Sequence, residues 1–303
     1  MPPDSLAPRS YDSFGVIGLG AMGGPVAGHV LAAGHPVVVH DLDPGLVARY
    51  VDQGAVEARS PAELAGAVDV VSVFVPTDED VLEVCIGRRG VLAGARQPSL
   101  LLLCSSVRPE TCRAVGIAAP DSVAVVDAAL TGGVRGAECG TINLLTGGDE
   151  HALDPALALL SSWTSGIHHL GPLGAGQVGK SVNNLIHWAQ ISAITEALEL
   201  GRRHGVDVVA LRRALMNGST DSRTLRELEQ MRLTWHAKDL ANAALLADQV
   251  AMALPVAEVS RRVMLQRSVQ SIAELLVSPG DPGAPIRAGL ANDGPGDNHT
   301  ANG

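Results

Sequence analysis

The sequence predicts an α/β protein: a doubly wound parallel sheet in the N-terminal half, then an all-α half, with one long interdomain helix between them. Three observations predict it. From Phe14 to about Leu170, short Val/Ile/Leu runs alternate with Ala-rich amphipathic stretches. The runs are continuously apolar rather than alternating, as suits strands buried on both faces. After Gly174 no such run recurs, and only helical periodicity remains.

The first run, FGVIGLG (14–20), ends in glycines and leads straight into a helical pattern, so it reads as the first strand. PVVVHD (36–41), VDVVSVFVP (68–76), SLLLLCSS (99–106) and SVAVVDAAL (122–130) follow as further strands. Strands and helices in alternation build a doubly wound sheet. Beyond it, residues 176–204 read as one long helix. Helices are then expected near 207–216, 221–232, 237–251 and 255–275, the last with Pro255 in its first turn. The Pro/Ser-rich start (1–12) and the Pro/Gly/Asp/Asn-rich end (277–303) read as disordered tails. The expected domains are therefore 13–173 and 174–276.

A chain of 303 residues exceeds what one ordinary core needs, so two domains are the default. At 46% hydrophobic and 18% charged it falls among globular proteins, but with 2% aromatics its core must be built from Ala, Val and Leu. The formal net charge of −10 argues against nucleic acid or anionic membrane as a partner. A small anionic substrate then needs a local basic group. Cys85, Cys104, Cys112 and Cys139 form no CxxC pair and read as reduced thiols. Residues 1–12 lack a signal peptide's apolar core, and no apolar run reaches the roughly 18–20 residues of a membrane span. The expected location is cytoplasmic.

The first strand runs into Gly18-Leu19-Gly20-Ala21-Met22-Gly23, a GxGxxG pattern, and then into a helical pattern. In a Rossmann domain the first glycine permits the tight turn, the second lets a pyrophosphate approach, and the third allows close helix–strand contact. The pyrophosphate sits on the unpaired N–H groups of the helix start. The next strand ends on Asp41, about 20 residues on, where an acid hydrogen-bonds a ribose diol. An acid repels a 2′-phosphate and no Arg follows in HDLDPGL, so NAD is favoured over NADP.

Two further glycine-rich stretches lie downstream. In DAALTGGVRGAECGTINLLTGGD (127–149), Thr131-Gly132-Gly133 follows a buried strand. It reads either as a nest for a carboxylate or as a turn between strands. In GPLGAGQVGKSVNNLIHWAQ (171–190), Lys180 and Asn184 share one helix face with Asn183, His187 and Ile191. A lysine in a helix's first turn is poorly placed for the helix dipole. Its pattern alone leaves it as a solvated charge or a proton-transfer group. His168 and His169 fall at the turn before GPLG, and no Asp/Glu/His cluster suggests a metal. Arg202, Arg203, Arg212 and Arg213 read as solvated helix faces.

Six blocks stand in order across residues 15–256: GVIGLGAMGGPVAGHVLAAGH, DVVSVFVPTDEDV, CSSVRPET, DAALTGGVRGAECGT, GPLGAGQVGKSVNN and KDLANAALLADQVAMALPV. Together they resemble the β-hydroxyacid dehydrogenase family, which contains 3-hydroxyisobutyrate dehydrogenase and tartronate semialdehyde reductase. The resemblance implies a 6-phosphogluconate dehydrogenase-like helical domain, a dimer or tetramer, and roles position by position. Lys180 becomes the acid/base, with Asn184 orienting it and touching substrate. Thr131, Gly132 and Gly133 hold the substrate carboxylate, with Thr131 standing where members usually have Ser. Val75 and Pro76 match the segment along the cofactor, and Ser106 the hydroxyl near the nicotinamide ribose. Lys238 matches a lysine that reaches cofactor and active site, with Asp239 as a supporting carboxylate.

The chain also departs from the family. Eight residues before Asp239, where members often carry a pocket-lining Phe, it has Met231, with Trp235 one turn closer to KDL. His187, one turn beyond Asn184, is either a packed residue or a substrate contact. The function implied is hydride transfer between NAD and a small 3-hydroxy acid, or the matching semialdehyde in reverse. The alternatives are an imine reductase, against which Lys180 argues, a reductase of bulkier hydroxy acids, and a nucleotide-binding scaffold without turnover.

Overall fold

The computed structural model describes residues 10–277, so the expected tails over 1–12 and 277–303 lie outside it except at residues 10–12 and 277. Of these, Tyr11 donates its backbone N–H to the Pro155 carbonyl at 2.8 Å, and Asp12 and Ser13 donate theirs to the Asp69 carboxylate. The described chain forms two compact units that meet between residues 184 and 185, inside the long helix.

The first unit alternates strands and helices: β1 (Phe14–Ile17), α1 (Gly23–Ala32), β2 (Val37–His40), α2 (Pro44–Val51), β3 (Val56–Glu57), α3 (Pro61–Ala65) and β4 (Val70–Val73). It continues with α4 (Asp78–Ile86), β5 (Leu100–Leu103), α5 (Pro109–Ala118), β6 (Ala124–Thr131), α6 (Gly133–Glu138), β7 (Ile142–Gly147), α7 (Leu157–Leu160) and β8 (Thr164–His169). The strands form one sheet in the order β3-β2-β1-β4-β5-β6-β7-β8. All neighbours are parallel except β6 and β7. The apolar runs behave as their continuity predicts. Along β5, Leu100 and Leu102 enter the core on one face of the sheet and Leu101 and Leu103 the core on the other, all fully buried.

Three strands exceed the predicted five. The two-residue β3 is too short and too exposed to leave an apolar run. β7 alternates buried with partly exposed residues and β8 has no buried residue, so neither reads as a buried run. The histidines 168 and 169, expected in a turn, end β8, and the His169 ring bonds the Gly148 carbonyl at 3.0 Å. The Gly132–Gly133 pair opens the six-residue α6, and the chain then returns as β7, pairing Thr131 with Asn143. With few aromatics to spend, the chain places both of its phenylalanines, Phe14 and Phe74, on one fully buried ring, Trp163, at centroid separations of 6.4 and 6.5 Å.

Helix α8 (Ala175–Arg203) runs through the unit boundary. The second unit continues with α9 (Val208–Leu215), α10 (Arg223–Arg226), α11 (His236–Gln249), α12 (Pro255–Met264) and α13 (Val269–Leu275). Two predicted helices are broken. The one expected at 221–232 is α10 followed by a single 3₁₀ turn at Leu228–Gln230, after which Met231 is extended. The one expected at 255–275 stops at Met264, and α13 restarts behind a reciprocal Ser268–Ser271 cap that satisfies its first N–H groups locally. Arg212 is no solvated charge either. Its guanidinium is mostly buried and donates to the carbonyls of Leu225 and Arg226, both at 2.8 Å, pinning the broken segment. Arg202 and Arg203 share the carboxylate of Glu199 on the α8 surface.

Among the described residues no helix is long and apolar enough to cross a membrane. Truncating the aromatic hub, Trp163→Ala, is expected to destabilise the first unit by about 3–5 kcal/mol through the cavity it leaves. Urea unfolding followed by circular dichroism checks this, and an unchanged midpoint would remove Trp163 as an anchor.

Candidate active site

Parallel pairing from β3 to β6 puts the carboxyl ends of those strands on one edge of the sheet. The strand order reverses between β1 and β4, which makes that edge a topological switch point where doubly wound sheets bind ligands. Asp41 follows β2, the glycine loop follows β1, Val75 and Pro76 follow β4, Ser106 follows β5, and Thr131 ends β6. The topology thus collects residues scattered from Gly18 to Thr131 onto one edge.

The glycine loop fits a dinucleotide in its own geometry. Gly18 has φ +90°, and a Cβ there would collide with the Phe74 carbonyl oxygen. A Cβ on Gly23 would strike the Gly18 carbonyl oxygen, so α1 can start this close to β1 only on glycine. A Cβ on Gly20 would meet nothing within 4 Å, which leaves open space over the loop. No side chain caps α1, whereas Asp43, Ser60 and Thr77 cap α2, α3 and α4. The first-turn N–H groups of α1 are therefore not taken by a cap, as an anion site at a helix start requires. The Asp41 carboxylate accepts the Leu19 N–H at 2.6 Å and the Asp43 N–H at 2.8 Å, so it also braces the loop from behind.

At the next strand ends a buried polar cluster appears that pattern reading did not single out. Ser105, not Ser106, is buried; its Oγ accepts the Val75 N–H at 2.8 Å and donates to the Val73 carbonyl at 3.3 Å. Ser106 is exposed beside it. Asp127, in the middle of β6, is 0% exposed and accepts the backbone N–H groups of Gly174 at 2.6 Å and Gln177 at 2.8 Å. Burial pushes its carboxyl above the ordinary range, and the N–H groups of Gly174, Gln177 and Gly176 pull against that. One signal was available: an aspartate inside an apolar run must find donors if it is buried.

Lys180 is half-buried on the second turn of α8, and Asn184, one turn on, is buried. The Asn183 side-chain amide donates to Asn184 Oδ1 at 3.2 Å, and further along the same face Ile191 enters the core of the helical unit. Thr131 donates its hydroxyl to the Asn143 carbonyl at 3.3 Å, and Gly132 and Gly133 after it are both left-handed.

The remaining candidates lie in the second unit. The His187 ring nitrogen Nδ1 pairs with the Thr224 hydroxyl at 3.1 Å. Trp188, next to it and buried, donates its indole N–H to Asp239 at 3.0 Å and stacks edge-on against His236. Asp239 thus binds α11 to α8. Lys238 is exposed, Met231 packs on the helical core, and Trp235 is 62% exposed ahead of α11. No group of three or more His, Cys, Asp or Glu side chains that could hold a metal occurs among the described residues. Burial raises the thiols of Cys85, Cys104 and Cys112, which removes them from nucleophilic chemistry.

Comparison with known proteins shows the family. Residues 13–171 match a family model described as the NAD binding domain of 6-phosphogluconate dehydrogenase. Residues 174–274 match one described as NAD-binding of NADP-dependent 3-hydroxyisobutyrate dehydrogenase. The 3-hydroxyisobutyrate dehydrogenase of Pseudomonas aeruginosa is 37% identical over 204 residues, 67% of this chain and 68% of that one. An NAD-dependent L-serine dehydrogenase of the same organism is 35% identical with the same coverage. The solved 3-hydroxyisobutyrate dehydrogenase of Mycobacterium tuberculosis with L-serine superposes with a TM-score of 0.76 at 25% identity, over 88% of this chain and 99% of that one.

Fold and matches together define an NAD(P)-dependent oxidoreductase acting on CH–OH groups. The chain belongs to the β-hydroxyacid dehydrogenase family.

Gly18→Ala forces a side chain into the left-handed region and into the Phe74 carbonyl. It is expected to weaken NAD(P)H binding by more than about tenfold. Fluorescence titration of NADH and NADPH checks this, and undiminished affinity for both would count against the loop as the cofactor site.

Proposed function

We propose that the protein transfers hydride between NAD and a small 3-hydroxy acid, with Lys180 as acid/base, and that the reverse reaction reduces the matching semialdehyde. The observation that carries the reading is the gathering of the glycine loop, Asp41, Val75, Ser106 and Thr131 on one sheet edge, to which the helix bearing Lys180 is hydrogen-bonded through Gln177. When bound, the nicotinamide supplies the hydride acceptor or donor. Everything else falls to the chain. Thr131, Gly132 and Gly133 hold the carboxylate, Asn184 orients Lys180 and touches the substrate, and Lys180 takes the proton of the hydroxyl or returns it. A free lysine, with a pKa near 10.4, is a poor base at neutral pH, so burial and a neighbouring cation must lower it for the oxidative direction. In the reductive direction its charged form donates directly.

NAD over NADP is supported by Asp41, whose charge opposes a 2′-phosphate, and by the exposed Leu42 that follows it where a basic residue would be needed. Relatives include enzymes that act on 3-hydroxyisobutyrate, L-serine and 2-(hydroxymethyl)glutarate, and these form the substrate panel. The family resemblance supports Met231, Trp235 and His187 as substrate residues and Lys238 and Asp239 as cofactor residues. Self-association as a dimer or tetramer is supported by Val178, Val182 and Ile186, which α8 leaves exposed at four-residue spacing. A cytoplasmic, reducing location is supported by four free cysteines.

Lys180→Ala is expected to lower kcat about 100- to 10,000-fold, the contribution of a general acid/base, while NAD affinity stays unchanged. Steady-state kinetics on the panel, read by NADH absorbance, tests it; near-normal turnover would remove Lys180 from the mechanism. Asp41→Arg is expected to shift the kcat/KM preference toward NADP. Because Asp41 also holds the Leu19 N–H, affinity for both cofactors should fall as well. An unchanged NAD/NADP ratio would defeat the ribose assignment.

A further inference from the structure

Gln177 is an amide side chain 2% exposed, three residues ahead of Lys180 on α8. Its Nε2 donates to the Ser105 carbonyl at 2.9 Å, and its Oε1 accepts the Val107 N–H at 3.2 Å. These two groups lie on either side of Ser106, so the amide grips that residue's backbone as a neighbouring strand would. The backbone N–H of Gln177 meanwhile donates to Asp127 on β6. One residue therefore ties the first turn of α8 to the end of β5 and the middle of β6. Through the Ser105 hydroxyl, which accepts the Val75 N–H, the tie reaches the end of β4.

The contact is close because residue 176 is glycine. A Cβ there would strike the Leu145 carbonyl oxygen and approach Asp127 Oδ2 to 2.7 Å. Four residues given roles at the site connect to this tie through the backbone of their strand, loop or helix. Ser106 is flanked by its two bonds, Val75 bonds Ser105, Thr131 is four residues along β6 from Asp127, and Lys180 is one helical turn from Gln177.

We propose that Gln177 is a positioning residue for the reaction: its amide sets the height of Lys180 over the strand ends that carry cofactor and substrate. The proposal rests on the reading of Lys180 as acid/base. A misplacement of about an ångström costs a reaction on the order of 100-fold without loss of binding, because bound reactants no longer meet at the right distance. An apolar replacement of equal size keeps the packing and removes both bonds. A carboxyl replacement is more telling. When neutral it offers one donor and one acceptor, as the amide does; when ionised it sets an oxygen against the Ser105 carbonyl.

The test compares Gln177→Leu, Gln177→Glu and Lys180→Ala with the parent, using whichever of 3-hydroxyisobutyrate, L-serine and 2-(hydroxymethyl)glutarate is turned over fastest. Gln177→Leu is expected to lose about 100-fold in kcat per folded molecule, with NADH affinity unchanged and a larger kinetic isotope effect from substrate deuterated at the carbinol carbon. For Gln177→Glu, kcat relative to the parent is expected to rise toward acid pH, as the introduced carboxyl gains its proton and restores both bonds. A parental kcat in Gln177→Leu overturns the proposal, whatever that variant loses in melting temperature. Should Gln177→Leu not fold, a pH-independent ratio for Gln177→Glu overturns it equally. If Lys180→Ala is inactive while the Gln177 variants are normal, only the positioning role falls; if Lys180→Ala turns over, the acid/base reading falls with it.

Discussion

A carboxylate in the middle of a buried strand has to be answered by donors, and Asp127 is answered by the start of the longest helix in the protein. Its oxygens accept the N–H groups of Gly174 and Gln177, from 47 and 50 residues away. A helix start leaves four N–H groups unpaired, and here a strand from the sheet caps two of them in place of a local Ser or Asp. Two unfavourable features, a buried charge and an open helix end, thereby satisfy one another. The helix can begin at only one height and in one orientation, and the position of Lys180 follows from that.

The same economy governs the nucleotide loop. Asp41 has a proposed chemical duty, the ribose diol, and a structural one, since it holds the Leu19 N–H and thus the curvature of the glycine loop. A residue with both duties resists replacement more strongly than a ribose contact alone would. Phe74 acts similarly: its carbonyl closes the space above Gly18, and its ring packs on Trp163, so the cofactor loop leans on the largest aromatic of the core.

In the helical unit, polar bonds supply the order that aromatic packing usually brings. Trp188 is placed by Asp239 and His187 by Thr224, while Arg212 closes the broken α10 segment on backbone carbonyls. Met231 is partly buried against the helical core, whereas Trp235 is exposed.

By itself the sequence determined the strand–helix alternation, the nucleotide loop with its acid, and the helix face bearing Lys180 and Asn184. These are local: periodicity and glycine spacing act within a few residues, and a chain pattern records them directly. Only the tertiary structure decided the rest. The breaks in the helices expected at 221–232 and 255–275 follow from the Arg212 bonds and from a cap at Ser268 that periodicity overrides on paper. The antiparallel return of β7 turns Thr131-Gly132-Gly133 into a strand end leading to a short helix. Ser105, Asp127 and Gln177 were invisible as a group because their bonds join residues 30 to 72 positions apart. A hydrogen bond depends on distance in space, and until the sheet brings those segments together nothing in a one-dimensional pattern marks them as partners.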